Sequence, residues 1–114
     1  MNAKEKMEKA IEILNERFNF IKDFELIIEK EKFITGGFYW TTFCNGFGTY
    51  YKHPIFDIFF RYDDSQYESV EDIVENCTQR IKDNLKMMKS SDEETAIERG
   101  EPVKYSCDYS ILEE

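Results

Sequence analysis

Three side chains in the middle of the chain, Cys44, His53 and Asp57, have the types that nucleophilic catalysis needs. A thiol becomes an effective nucleophile when a base stands beside it to take its proton and a third group orients that base. His53 is the sole histidine, so every cysteine–histidine pairing must use it. A plainer role fits each residue better. Cys44 closes an aromatic stretch, Phe38–Cys44, where a small apolar residue is expected, and His53 precedes Pro54 in a segment that reads as a loop. No local signature of a cysteine-enzyme family accompanies the pair, and the chain is not expected to be an enzyme.

Metal chemistry fares no better. Asp63 and Asp64 are adjacent carboxylates, but the oxygen ligands at alternate positions that a calcium loop requires do not follow them. The three cysteines, 44, 77 and 107, are odd in number and widely spaced with no Cys-x-x-Cys. That argues against a zinc site and against a disulfide framework, and free thiols fit a reducing compartment. No phosphate-cradling glycine pattern and no His-Glu-x-x-His is present. No metal and no cofactor is expected.

Charge carries more information than any motif. The 114 residues have a formal net charge of −9, unevenly spread. Residues 1–32 are nearly balanced and residues 33–62 hold only Lys52, Asp57 and Arg61. Residues 63–79 hold Asp63, Asp64, Glu68, Glu71, Asp72 and Glu75 with no Lys or Arg, residues 80–89 are net positive, and residues 90–114 turn acidic again. Hydrophobic residues at 41% and charged residues at 34% describe an ordinary globular domain. Aromatics at 16% predict a ring-rich core. No apolar run is long enough to span a bilayer, and Met1–Ala10 has no apolar signal core. The expectation is one cytoplasmic domain over residues 1–114.

The elements that would position these charges can be read from periodicity. Ala3, Met7, Ile11, Leu14, Phe18 and Ile21 form one apolar stripe, which predicts a helix over about 2–21. Phe24, Leu26 and Ile28 alternate with polar residues as a strand does. Phe33–Thr35 continues it or begins a second piece, and Gly36-Gly37 marks a hairpin turn, or a bulge if the strand runs on. Phe38–Cys44 is a strand by composition. A loop is expected from Asn45 to Pro54, then a strand over Ile55–Tyr62. Ser65 and Ser69 both stand at helix-start patterns. Val70, Ile73, Val74, Cys77, Ile81, Leu85 and Met88 trace a second long helix to about Lys89. Ser91 begins a short third helix that Gly100 and Pro102 stop. Val103, Tyr105, Cys107, Tyr109 and Ile111 alternate as a final strand. The expected class is α+β, a two-layer sandwich of order α-β-β-β-α-α-β with a mainly antiparallel sheet packed against two long helices.

In order of elements alone, the first five are similar to a double-stranded-RNA-binding domain. Such domains meet phosphates with cations. Here six carboxylates surround the start of the second helix and the first cation is Arg80, so direct nucleic-acid binding is not expected. Arg80, Lys82, Lys86 and Lys89 fit better as cations toward a helix C-terminus.

The carboxylates themselves admit two accounts. Acids near a helix N-terminus stabilise it and acids anywhere aid solubility. Alternatively, two acidic stretches on a rigid scaffold dock in the basic groove of a nucleic-acid-binding protein. Phage-encoded blockers of host defence nucleases and immunity proteins that neutralise nuclease toxins share this size and charge. The candidate contact residues are Asp63, Asp64, Glu68, Glu71, Asp72, Glu75, Asp92, Glu93 and Glu94, with Tyr50 and Tyr51 as aromatic anchors on the loop. The competing reading is that the aromatic, nearly uncharged stretch 33–62 lines a ligand pocket or an oligomer interface.

Overall fold

A computed structural model describes residues 1–21, 24–43, 50–62 and 69–113, with the backbone alone over 38–43 and 50–60. The fold is α+β, an antiparallel sheet with two helices. The order is α1 (Ala3–Arg17), β1 (Phe24–Glu29), β2 (Phe33–Phe43), β3 (Tyr50–Arg61), α2 (Val70–Arg99) and a closing 3-10 turn over Ser110–Glu113. The strands lie in the order β1-β2-β3, each antiparallel to the next.

The apolar stripes do what their spacing demands. Met7, Ala10 and Leu14 of α1 and Ile73, Val74, Cys77, Ile81, Leu85 and Met88 of α2 are buried together with Leu26 of β1 and Ile34 of β2. Each fully buried aliphatic or aromatic side chain contributes roughly 1.5–3 kcal/mol relative to exposure. On β1 the alternation puts Leu26 in this core and leaves Ile27 half exposed. Helix α1 stops one turn earlier than its stripe suggests, with Phe18 as its C-cap. Phe18-Asn19-Phe20 are weak helix formers. The chain still turns Phe18 and Ile21 into the core, where Phe18 packs on Phe24 with ring centroids 5.7 Å apart.

The exposed edge of β1 is covered by a side chain of α1. Asn15 Oδ1 accepts from the Leu26 N–H at 3.1 Å and Asn15 Nδ2 donates to the Leu26 carbonyl at 3.5 Å. An unpaired strand edge is a template for unwanted pairing, and one amide here satisfies both polar groups of an edge residue.

Four sequence expectations need correction. Gly36 and Gly37 are not a turn. β2 runs through them, with Gly36 opposite Leu26 on one side and Ile58 on the other. The turn lies instead at Lys30 and Glu31, both at positive φ.

The loop expected up to Pro54 is shorter, because β3 begins at Tyr50 and Pro54 lies within it. β3 is an edge strand, where a missing N–H is tolerated. Pro54 pairs with Tyr39 beside a register shift that leaves Ile55 unmatched.

The short third helix is the continuation of α2, which spans 30 residues without a break. Nothing between Lys89 and Arg99 is a glycine or proline, and Met88 and Ala96 keep the buried stripe going.

No strand forms over 103–111. That segment returns along α2, and period-2 alternation marks any extended chain lying on a surface, with or without a ladder. Among the described residues no helix is long and apolar enough to cross a membrane.

Candidate functional site

Helix α2 decides where the described acids stand. Ser69 caps it, its Oγ accepting from the Asp72 N–H at 3.2 Å, so Glu71 and Asp72 fall in the first turn and Glu75 one turn later. All three are exposed, and among the described residues none of them makes an ion pair. Asp63, Asp64 and Glu68, and the helix start at Ser65, lie outside the described residues.

Beside these acids α1 and α2 leave a groove of about 420 Å³. Ile13, Val70 and Val74 supply its apolar lining, Glu71 and Glu75 one charged end, and Arg17, Thr78, Gln79 and Lys82 the other. Arg17 is held there by donating from Nη1 to Thr78 Oγ1 at 3.0 Å. Along α2 the groove therefore runs from the acids at the helix start to Arg17, held at Thr78 within a turn of Glu75, and on to Lys82 two turns from Glu75. Sequence reading missed Arg17 and Thr78, since 61 residues separate them and no local pattern links them.

The second acidic block belongs to the other end of the same helix. At about 1.5 Å rise and 100° per residue, Glu75 and Glu93 lie on one line roughly 27 Å apart. Lys82, Lys86 and Lys89 stand between them, within about 40° of that line. The two blocks are thus separate patches with a basic band between. Glu93 is half-buried and Glu94 exposed.

Asp92 is differently employed. Its Oδ2 accepts from the Ser106 N–H and from the Tyr109 hydroxyl, and its Oδ1 accepts from the Ser106 hydroxyl, each at 2.8 Å. It ties the returning tail to α2, a role that an acid within an acidic run does not announce.

The tail adds its own perturbed groups. Burial, then the hydrogen bond to Asp92, raises the Tyr109 hydroxyl above its ordinary value. Cys107 is raised chiefly by burial. Asp108 is lowered by hydrogen bonds from the Ser110 N–H and hydroxyl. In the core, burial pushes the Cys77 thiol up to about 12, which suits an inert packing residue rather than a nucleophile.

Tyr50 and Tyr51 stand on β3 opposite Phe43 and Thr42, not on a loop. His53 pairs with Trp40 and Asp57 with Gly37. Cys44 lies outside the described residues, as do the side chains of Tyr50, Tyr51, His53 and Asp57. Among the described residues no three His, Cys, Asp or Glu side chains gather to hold a metal. Comparison with family models, curated proteins and solved structures returns no match.

Proposed function

We propose that this chain is a small acidic protein-binding inhibitor or decoy. It docks on a basic, nucleic-acid-binding partner such as a nuclease, in the manner of phage anti-defence or toxin-immunity proteins. It works in the cytoplasm, on a scaffold with the sheet as one layer and the helices as the other. One observation carries the reading: Glu71, Asp72 and Glu75 are exposed together at the start of α2 with no ion pair among the described residues. Carboxylates left unneutralised on a rigid helix end steer a cationic surface toward them.

The start of α2 is the docking end. Asp63, Asp64 and Glu68 precede it in sequence and join it in the proposal, with Tyr50 and Tyr51 as anchors. Glu93 and Glu94 contact the partner's periphery, because the lysine band interrupts the acidic line. Asp92 serves the tail instead.

The test is association with the partner co-purified from the native host, measured from about 0.05 to 0.5 M salt. Affinity should fall steadily, and Asp72→Lys with Glu75→Lys should slow association while the far-end pair Glu93→Lys and Glu94→Lys changes it less. Binding indifferent to both salt and charge reversal overturns the proposal.

A further inference from the structure

Beyond its carboxylates, the docking end carries a shaped feature. The groove between α1 and α2 has an apolar lining from Ile13, Val70 and Val74, with Glu71 and Glu75 at one end and Arg17 and Lys82 at the other. A purely basic ligand matches only half of it.

We propose that this groove seats a polyproline-II-like segment of the partner that carries a cation and, three residues away on the same face, an anion. The inference rests on the docking role of the start of α2 and specifies its ligand. The spacing follows from the two backbones. Glu75 and Lys82 are seven helical residues apart, about 10 Å along the axis, and three steps of a polyproline-II chain cover about 9 Å and bring the side chain back to the same face. The partner's cation lays its aliphatic stem along Val70 and Val74 and presents its head to Glu71 and Glu75, as long basic side chains do at apolar surfaces with charged rims. The segment's anion meets Lys82 and the guanidinium of Arg17, which the Thr78 hydroxyl already orients. A groove of about 420 Å³ falls within the size range of small-ligand sites.

Four capped tetrapeptides test this on the full chain: Arg-Ala-Ala-Asp, Arg-Ala-Ala-Arg, Asp-Ala-Ala-Asp and Ala-Ala-Ala-Ala. Binding is read from amide chemical shifts of Val70, Val74 and Thr78. The mixed peptide should bind the wild type about fivefold tighter than either like-charged peptide, the size of one good rim ion pair. Lys82→Glu should switch the preference to Arg-Ala-Ala-Arg, and Glu75→Lys should switch it to Asp-Ala-Ala-Asp. Both sites are on the helix surface, and unchanged thermal unfolding of each variant shows that the fold is intact.

A wild type that prefers the doubly basic peptide, or preferences that stay fixed in both variants, overturns the proposal. So does binding that moves no amide of the groove. Doubly basic binding that shifts only the Glu71 and Asp72 amides would sink the groove and leave the decoy reading standing. Loss of salt-dependent binding to the native partner would sink the decoy reading itself.

Discussion

The Tyr109 hydroxyl donates to Asp92 Oδ2 at 2.8 Å across 17 residues of chain, and this bond closes the return of the tail onto α2. Tyr109 as a whole is 7% exposed, and its bond to Asp92 is partly buried. It is backed by Tyr105, edge-on at 5.6 Å, and by the two bonds from Ser106 to the same carboxylate.

Removing that carboxylate should therefore be felt beyond its own position. Hydrogen bonds to a charged acceptor are worth about 1.5–3 kcal/mol, and a partly buried donor left without one still bears its desolvation penalty. Asp92→Ala is expected to cost about 2 kcal/mol, lowering the thermal midpoint by roughly 10 °C for a domain of this size. Tyr109→Phe removes one bond of the three and should cost about 1 kcal/mol. Amide exchange at Ser106 should quicken in the alanine variant while the core amides of α2 keep their order. Unchanged exchange at Ser106 would mean that something other than Asp92 holds the tail.

Two of the three raised groups, Tyr109 and Cys77, predict how stability depends on alkaline pH. The Tyr109 hydroxyl and the Cys77 thiol both hold their protons more tightly in the folded chain. Unfolding therefore releases protons once the pH passes the unfolded values, roughly 9–10, and stability falls as pH rises. For Cys77 the loss runs from about 9 to about 12. Below about pH 8 the contribution is fully present. Urea midpoints should be flat from pH 7 to about 8 and decline beyond it. Both Cys77→Ala and Tyr109→Phe should show a shallower decline than the wild type. An alkaline slope identical in all three would place the linkage elsewhere.

Much of this architecture is written in local periodicity. The stripe from Met7 to Phe18, that from Ile73 to Met88, and the alternation Phe24-Leu26-Ile28 mark buried faces because burial selects the residue at every position of a face. What escaped reading depends on distant partners. The turn at Lys30 and Glu31 has positive φ values of 53° and 57° in two residues that rarely adopt them. It is held by the Lys32 N–H on the Glu29 carbonyl at 3.2 Å and by the Tyr62 N–H on the Lys32 carbonyl at 2.8 Å. Neither bond has a sequence signature. Pro54 argues against a strand only where both edges must pair, and edge position is a property of the sheet. In the candidate site the acids of α2 were legible one by one. Their division by a lysine band required α2 to be one unbroken helix, and the basic end of the groove required Arg17 to arrive from α1.

Of the three glycines at positive φ, Gly36, Gly37 and Gly100, the first and last differ in what surrounds them, and alanine should tell them apart. Gly36 has φ +134°, and a Cβ there would collide with the carbonyl of Glu25. Backbone strain and the clash together should cost at least about 2 kcal/mol in Gly36→Ala, because a strand backbone cannot step aside without breaking its ladder. Gly100 has φ +65° and open space around it, with the Glu101 N–H on the Ala96 carbonyl and its own N–H on the Ile97 carbonyl closing α2. Gly100→Ala meets only the left-handed penalty of about 1 kcal/mol. Denaturant midpoints of the two variants should differ accordingly. Equal losses would mean that β2 does not pass Glu25 as closely as described.

Ser69 and Ser91 offer the sharpest check on the helix that carries the docking end. Both stand three residues before an acid in the pattern of a helix start. Ser69 is a true cap, its hydroxyl on the Asp72 N–H, so Ser69→Ala should destabilise by about 1 kcal/mol. Ser91 sits inside α2 and is exposed, where alanine is the better helix former by about 0.5 kcal/mol. Ser91→Ala should therefore stabilise. If α2 instead ended near Lys89 and restarted at Ser91, both substitutions would remove a cap and both would destabilise. Opposite signs from paired thermal unfolding curves would establish one continuous helix, and with it the separation of the two acidic patches.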